Sequence, residues 1–151
     1  MAQEFALQPS PIRTQHGINT PVPNYASGTW APSTNATDEV NYGTWTKIGN
    51  RVFIDCIVSV VTIGTGLTAT INGLPFPAAT YAGGITLFTL AARVNGSSTA
   101  IVSVIGVVAS GSSAIALFSR TIASNDDTAN AIFMDGAVVQ VAGSYLVDTT
   151  F

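Results

Sequence analysis

Charge is scarce in this chain. Asp, Glu, Lys and Arg make up 9% of its 151 residues, against roughly 25% in an ordinary soluble domain. Only five residues are Lys or Arg, and the net charge is −3. The clustered cations that a phosphate backbone requires are missing, so nucleic acid is not an expected partner. A single cysteine, Cys56, excludes an internal disulfide framework and a Cys-rich zinc site. A single histidine, His16, leaves acid–base chemistry short of its commonest residue. Unbroken apolar runs are also absent. The uncharged segment starting at Val94 is interrupted by Asn95-Gly96-Ser97-Ser98 and by Ser110-Gly111-Ser112-Ser113. Those are turn signals at strand spacing, whereas a spanning helix needs about 20 consecutive apolar residues. No membrane partner is expected. Met1 to Gln8 lacks the basic and apolar regions of a secretory signal.

Hydrophobic residues, by contrast, make up 47% of the chain, and its mean hydropathy is +0.42. Disorder along the whole length is therefore excluded, because disordered chains are polar and charge-rich. The length suits one domain with a core of its own. Thr, Ser, Asn and Gly supply most of the polarity. A surface with so little charge is either neutral and hydroxyl-rich or covered by other subunits. The second reading is preferred, because apolar patches beyond a few hundred Å² mark contacts.

Residues 1–27 differ from the remainder. Pro9, Pro11, Pro21 and Pro23 fall here, with Pro32 just beyond. Proline fixes φ and lacks an N–H, so the stretch favours extended, non-sheet backbone. It also carries Phe5, Leu7, Ile12, Ile18, Val22 and Tyr25 as isolated apolar residues. Either it is a loose leader or an arm that places each apolar side chain in a pocket of a partner.

From Gly28 onward the pattern is strands and turns. Gly28-Thr29-Trp30 begins a short strand. Val40 to Ile48 is aromatic and β-branched, which suits a pleated surface. Gly49-Asn50 marks a two-residue hairpin. In Arg51 to Thr62 the even positions Val52, Ile54, Cys56, Val58 and Val60 are all apolar and the odd ones mixed, the period of a half-buried strand. Further strands are expected at Leu67 to Asn72, Ile85 to Val94, Thr99 to Ala109, Ser113 to Arg120 and Ala137 to Val147. Pro75 and Pro77 should form a rigid corner, and a helical turn can fit near Ala129 to Met134. Both faces of Thr99 to Ala109 are apolar. One wet face is usual in a small antiparallel sheet, so Ile101, Ile105 and Val107 are expected to meet another subunit.

No constellation for catalysis emerges. His16 sits between Gln15 and Gly17 with no orienting partner in sequence, so it reads as an ordinary polar residue. Cys56, on the apolar face of its strand, reads as a small hydrophobe. Glycoside cleavage needs two carboxylates about 5 to 10 Å apart. Asp38-Glu39 and Asp126-Asp127 are adjacent pairs, and neighbours on extended backbone point to opposite faces. Asn125-Asp126-Asp127 lacks the alternating spacing of a calcium loop. Asp55 is expected to pair with Arg51, Arg93 or Arg120, within one subunit or between subunits. No catalytic residue, metal site or cofactor is assigned.

The run Tyr42-Gly43-Thr44-Trp45-Thr46-Lys47-Ile48-Gly49-Asn50-Arg51-Val52-Phe53-Ile54 resembles a hairpin that begins a β domain at the end of many tailed-bacteriophage tail fibres and tailspikes. Three more segments resemble that domain in the same order: Gly28-Thr29-Trp30-Ala31-Pro32, Ile71-Asn72-Gly73-Leu74-Pro75-Phe76 and Ala142-Gly143-Ser144-Tyr145-Leu146. The resemblance covers roughly residues 28–151. It implies a homotrimeric knob on the particle surface and carries no catalytic motif. The fold expected is all-β, an antiparallel β-sandwich (jelly-roll-like) knob over residues 28–151 behind an extended Pro-rich arm over residues 1–27. Tail fibres carry a long shaft before such a knob, and here only the arm precedes it. That favours a head decoration (cement) protein over a tail-fibre tip. The expected partners are copies of itself and a major capsid protein or another virion protein. Phe5, Leu7, Ile12, Ile18 and Val22 would anchor the arm. The alternative is a receptor-binding tip that recognises host-surface glycan through Asn95, Ser97, Asp126, Asp127 and the Ser110–Ser113 turn, with Tyr81 or Trp45 stacking on sugar.

Overall fold

A computed structural model describes residues 25–34, 36–62, 69–81, 87–95, 101–121 and 134–148. The described chain is all-β, with no helix among these residues. Eight strands follow in order: β1 (Tyr25–Trp30), β2 (Thr37–Ile48), β3 (Arg51–Thr62), β4 (Thr70–Asn72), β5 (Leu87–Asn95), β6 (Ile101–Ala109), β7 (Ala114–Thr121) and β8 (Val138–Leu146). They form one antiparallel sheet in the order β1-β2-β3-β8-β5-β6-β7-β4. The sheet curls on itself. Just past β1, Ser33 exchanges both backbone hydrogen bonds with Asn72 of β4, at 3.1 and 2.7 Å. The two edges of the sheet are thereby brought together, which limits the unpaired backbone that an open sheet would present.

One face of every long strand points into a common core. From β3 come Val52, Ile54, Cys56, Val58 and Val60, all buried, as the period of two requires. β8 adds Val139, Val141 and Tyr145, β5 adds Leu90, β6 adds Val104 and Val108, and β7 adds Ile115 and Leu117. The strand expected at Leu67 to Asn72 is shorter, Thr70–Asn72. Most of the expected helical turn lies outside the described residues.

Two devices fix the register. The β2–β3 hairpin turns on Gly49, whose φ of 60° suits glycine. The β1–β2 pair is set by a Gly-Thr-Trp triplet that occurs twice, at 28–30 and 43–45. Antiparallel pairing places Gly28 opposite Trp45 and Trp30 opposite Gly43. Each indole covers the other strand's glycine. A Cβ on Gly43 would stand 2.6 Å from Trp30 Cε2, and one on Gly28 would stand 2.9 Å from Trp45 Cζ2. Glycine leaves room for each ring, most tightly at Gly43, and the ring covers the backbone that glycine exposes.

One end of the sheet is closed by the segment 73–81, whose Pro75 and Pro77 keep it out of a strand. Leu74 and Ala78 donate backbone N–H bonds to Ser113 and Ser112 of the β6–β7 turn, while Ala79 donates to Leu146 at the end of β8. The Thr80 N–H reaches both carboxylate oxygens of Asp148, and the Tyr81 N–H reaches Ser110 Oγ. Phe76 meets the Trp45 ring edge-on at 5.0 Å, and its carbonyl accepts the Tyr145 hydroxyl at 2.8 Å. Tyr145, buried, thus satisfies its one polar atom while filling the core beneath this segment.

Candidate assembly surface

The side chains that do not enter the core define the outer face. On β2 and β3 the pairing places Tyr42 beside Ile57, Thr44 beside Asp55, Thr46 beside Phe53 and Ile48 beside Arg51. β1 adds Tyr25 beside Ile48. Tyr25, Val40, Tyr42, Ile48, Phe53 and Val61 are between 43% and 56% exposed and share this face of β1–β3. Scattered exposed apolar residues need no explanation, but six on one face of three neighbouring strands do. At about 200 Å² for each large side chain when fully exposed, the six present on the order of 500 Å² of apolar surface.

Beside this patch the face dips. Asp55 of β3, Ala142 of β8 and Ala91 of β5 stand in one cross-strand row, and Ile57, Gln140 and Arg93 in the next. The small alanines leave a depression of about 390 Å³ with Asp55, Ile57, Gln140 and Arg93 around it. Asp55 stands on the rim of this depression, across from Gln140 and Arg93. Arg51 donates to Ser144 Oγ at 2.9 Å.

Of the residues expected at a subunit contact, Ile101 and Ile105 are half-buried and Val107 is buried at 9% exposed. β6 is therefore less exposed on that side than β1–β3. Its one large exposed residue is Val102, 62% exposed, on the parity that should face inward. A register shift between Ile101 and Ser103 explains this, because the extra residue of a bulge is turned out of the ladder.

The arm residues Phe5, Leu7, Ile12, Ile18 and Val22 lie outside the described residues, as do Ser97, Asp126 and Asp127. Asn95 is exposed at the end of β5. That end also carries Val138, the first residue of β8. The Ser110–Ser113 turn and Tyr81 lie at the opposite end, with the segment 73–81. The proposed glycan-contacting groups are thus divided between the two ends of the sheet. Trp45 points to the core side against Phe76 and does not offer a ring to a ligand on the outer face.

The described titratable groups are dispersed. Burial, reinforced by the neighbouring Asp55 charge, pushes the Cys56 thiol up to about 12, and burial pushes the Tyr145 hydroxyl up to about 12. A thiol held protonated is a poor nucleophile. Asp55 is mid-strand, Asp148 lies beside Thr80, and Asp135 lies in the turn before β8. No group of three or more His, Cys, Asp or Glu that could hold a metal ion is found among the described residues, and no helix of the described chain is long and apolar enough to cross a membrane.

Tyr42 and Phe53 were legible only after pairing is known. They occupy the even positions of β2 and the odd positions of β3, and the mixed character of the latter hides that the two sets share one face. Comparison of the chain with protein-family models, with curated proteins and with solved structures returns no match.

Proposed function

We propose that this chain is a non-enzymatic structural protein of a bacteriophage virion, a homotrimeric knob carried on the particle surface and held there by its N-terminal arm. The observation that carries the reading is the apolar outer face of β1–β3, which a solitary 15.5 kDa chain with 9% charged residues would have little means to keep soluble. In this reading the strands β1-β2-β3-β8 and β5-β6-β7-β4 are the two layers of a sandwich that share one core. The phage context comes from the resemblance of residues 28–151. Phe5, Leu7, Ile12, Ile18 and Val22 of the arm are the anchoring set, and three arms acting together multiply a weak contact. The capsid is the favoured attachment site, which makes the protein a head decoration protein. Dispersal of the described carboxylates supports a role without catalysis. Recognition of a host glycan is the second reading, with less behind it because its loops fall at opposite ends of the sheet.

The test is binding of purified protein to particles of the encoding phage that lack it. The full chain should saturate the particle surface. A variant lacking residues 1–24 should keep its far-ultraviolet β spectrum and its oligomeric mass but no longer bind. Equal binding by the truncated chain would remove the anchoring role, and failure of the full chain to bind would remove the virion role.

A further inference from the structure

We infer that residues 12–20 of one copy add as a further strand to the outer edge of β1 in a neighbouring copy. This rests on the self-assembly reading above. It narrows the particle's share of the arm to the first residues, Phe5 and Leu7, and gives Ile12 and Ile18 to the next chain.

The receiving edge is β1. Among the described strands its one neighbour is β2. The closure to β4 falls beyond it, at Ser33 and Asn72, so no described strand lies along the other side of Tyr25–Trp30. Such an edge is normally blunted by a charge, a proline or a bulge. Tyr-Ala-Ser-Gly-Thr-Trp contains no charge and no proline, and its register against β2 runs without a shift. Tyr25, Ala26, Ser27 and Thr29 are exposed. Ala26 shares the parity of Trp30, which is buried in the core. The core side of the sheet is therefore open at this edge, and an added strand can place apolar side chains beside Ala26.

The chain itself carries a segment that fits. The 24 residues before β1 end at the start of that strand. Pro9 and Pro11 on one side and Pro21 and Pro23 on the other bracket a proline-free stretch, Ile12-Arg13-Thr14-Gln15-His16-Gly17-Ile18-Asn19-Thr20. Every N–H that a ladder needs is present there. Ile12, Thr14, Ile18 and Thr20 are β-branched and share one parity with His16, while Arg13, Gln15, Gly17 and Asn19 take the other. That is the period of a strand with one apolar and one polar face. The first parity lies on the core side with Ala26, and the second on the outer side with Ser27 and Thr29.

The connector makes the donor another copy. Thr20 and Val22 each precede a proline, which holds them extended. Two-residue hairpin turns begin on a residue with positive φ, which proline cannot adopt. Held extended, Pro21 to Asn24 span about 12 Å at roughly 3.1 Å per residue and carry the segment away from its own β1.

The experiment uses the full chain with Gln15→p-benzoylphenylalanine, a photoreactive residue on the polar parity. Illumination should give species of more than one chain on a denaturing gel, with position 15 joined to the peptide that holds Tyr25–Trp30. In parallel, Gly17→Pro removes one ladder N–H from the added strand without touching the knob. Those β1 amides that point away from β2 should then exchange with solvent at least about ten times faster than in wild type, while β3 amides are unchanged. A chain joined only to its own β1 overturns the exchange between copies. Edge amides of β1 that already exchange freely in wild type, or that Gly17→Pro leaves as slow as before, overturn the added strand. In either case a native mass of three chains leaves self-assembly standing, and a native mass of one chain overturns that reading as well.

Discussion

Substituting Gly43 by alanine probes the reciprocal Gly–Trp pairs that hold β1 to the sheet. The new Cβ would stand 2.6 Å from Trp30 Cε2 and 2.7 Å from Cδ1, where carbon atoms normally rest about 3.5 to 4.0 Å apart. The ring must therefore move by about 1 Å. It has little room to do so, because Trp30 is 9% exposed and belongs to the core cluster. Forced overpacking of this kind costs about 1–3 kcal/mol. Replacing a strand glycine returns about 0.5–1 kcal/mol of backbone entropy. The net loss should be about 1–2 kcal/mol. Gly28→Ala is the internal control. Its Cβ would meet Trp45 Cζ2 at 2.9 Å, a milder contact than at Gly43, and Trp45 is only half-buried. That change should come out within about 0.5 kcal/mol of neutral once the same entropy gain is counted. Trp30 and Trp45 are the only tryptophans, so urea unfolding followed by indole fluorescence reports both sites directly. The reasoning fails if Gly43→Ala is as stable as wild type, or if Gly28→Ala is the more damaging of the two.

Further outcomes concern pH, the thiol and the β6 bulge. Cys56 and Tyr145 have folded-state values raised to about 12. Their contribution is therefore intact below their ordinary values of 9 and 10 and is lost as pH rises towards 12, at about 1.4 kcal/mol per pH unit for each group. Urea midpoints should be flat from pH 7 to 9 and fall above it, and Cys56→Ala should delay the onset by about one pH unit. A thiol reagent should modify Cys56 only as fast as the protein unfolds, and rapid labelling of the native chain would contradict its burial. Val102→Ser, at the outward-turned residue of the bulge, should change stability by less than about 0.5 kcal/mol. Val108→Ala, in the core, should cost about 1.5–3 kcal/mol.

The parts of the fold written locally were legible in the sequence. The alternation of Val52, Ile54, Cys56, Val58 and Val60 specifies which face of β3 is buried, and Gly49-Asn50 specifies its hairpin with β2. These signals need only neighbours in the chain. Pairings between distant strands were not legible. β3 beside β8 and β4 beside β7 depend on how the whole set of apolar faces closes around one core, which no window of residues contains. The bulge at Val102 has the same origin, because its outward turn arises from a register shift against β7 and not from anything in Ile101-Val102-Ser103. The candidate site shows both sides of this. Its apolar character was expected from two dry faces on one strand, and that expectation was placed on β6. The structure leaves β6 partly covered and exposes β1–β3, since Tyr42 and Phe53 are seen to share one outer face only when β2 and β3 are paired.

The most direct test of the proposed virion role is whether the protein is found in assembled particles, and where. Electron microscopy of particles carrying a gold-labelled copy of the full chain should show label on the outer surface of the head, in clusters of the size of one knob. Particles without label, while the labelled protein remains folded and free in solution, would contradict the account.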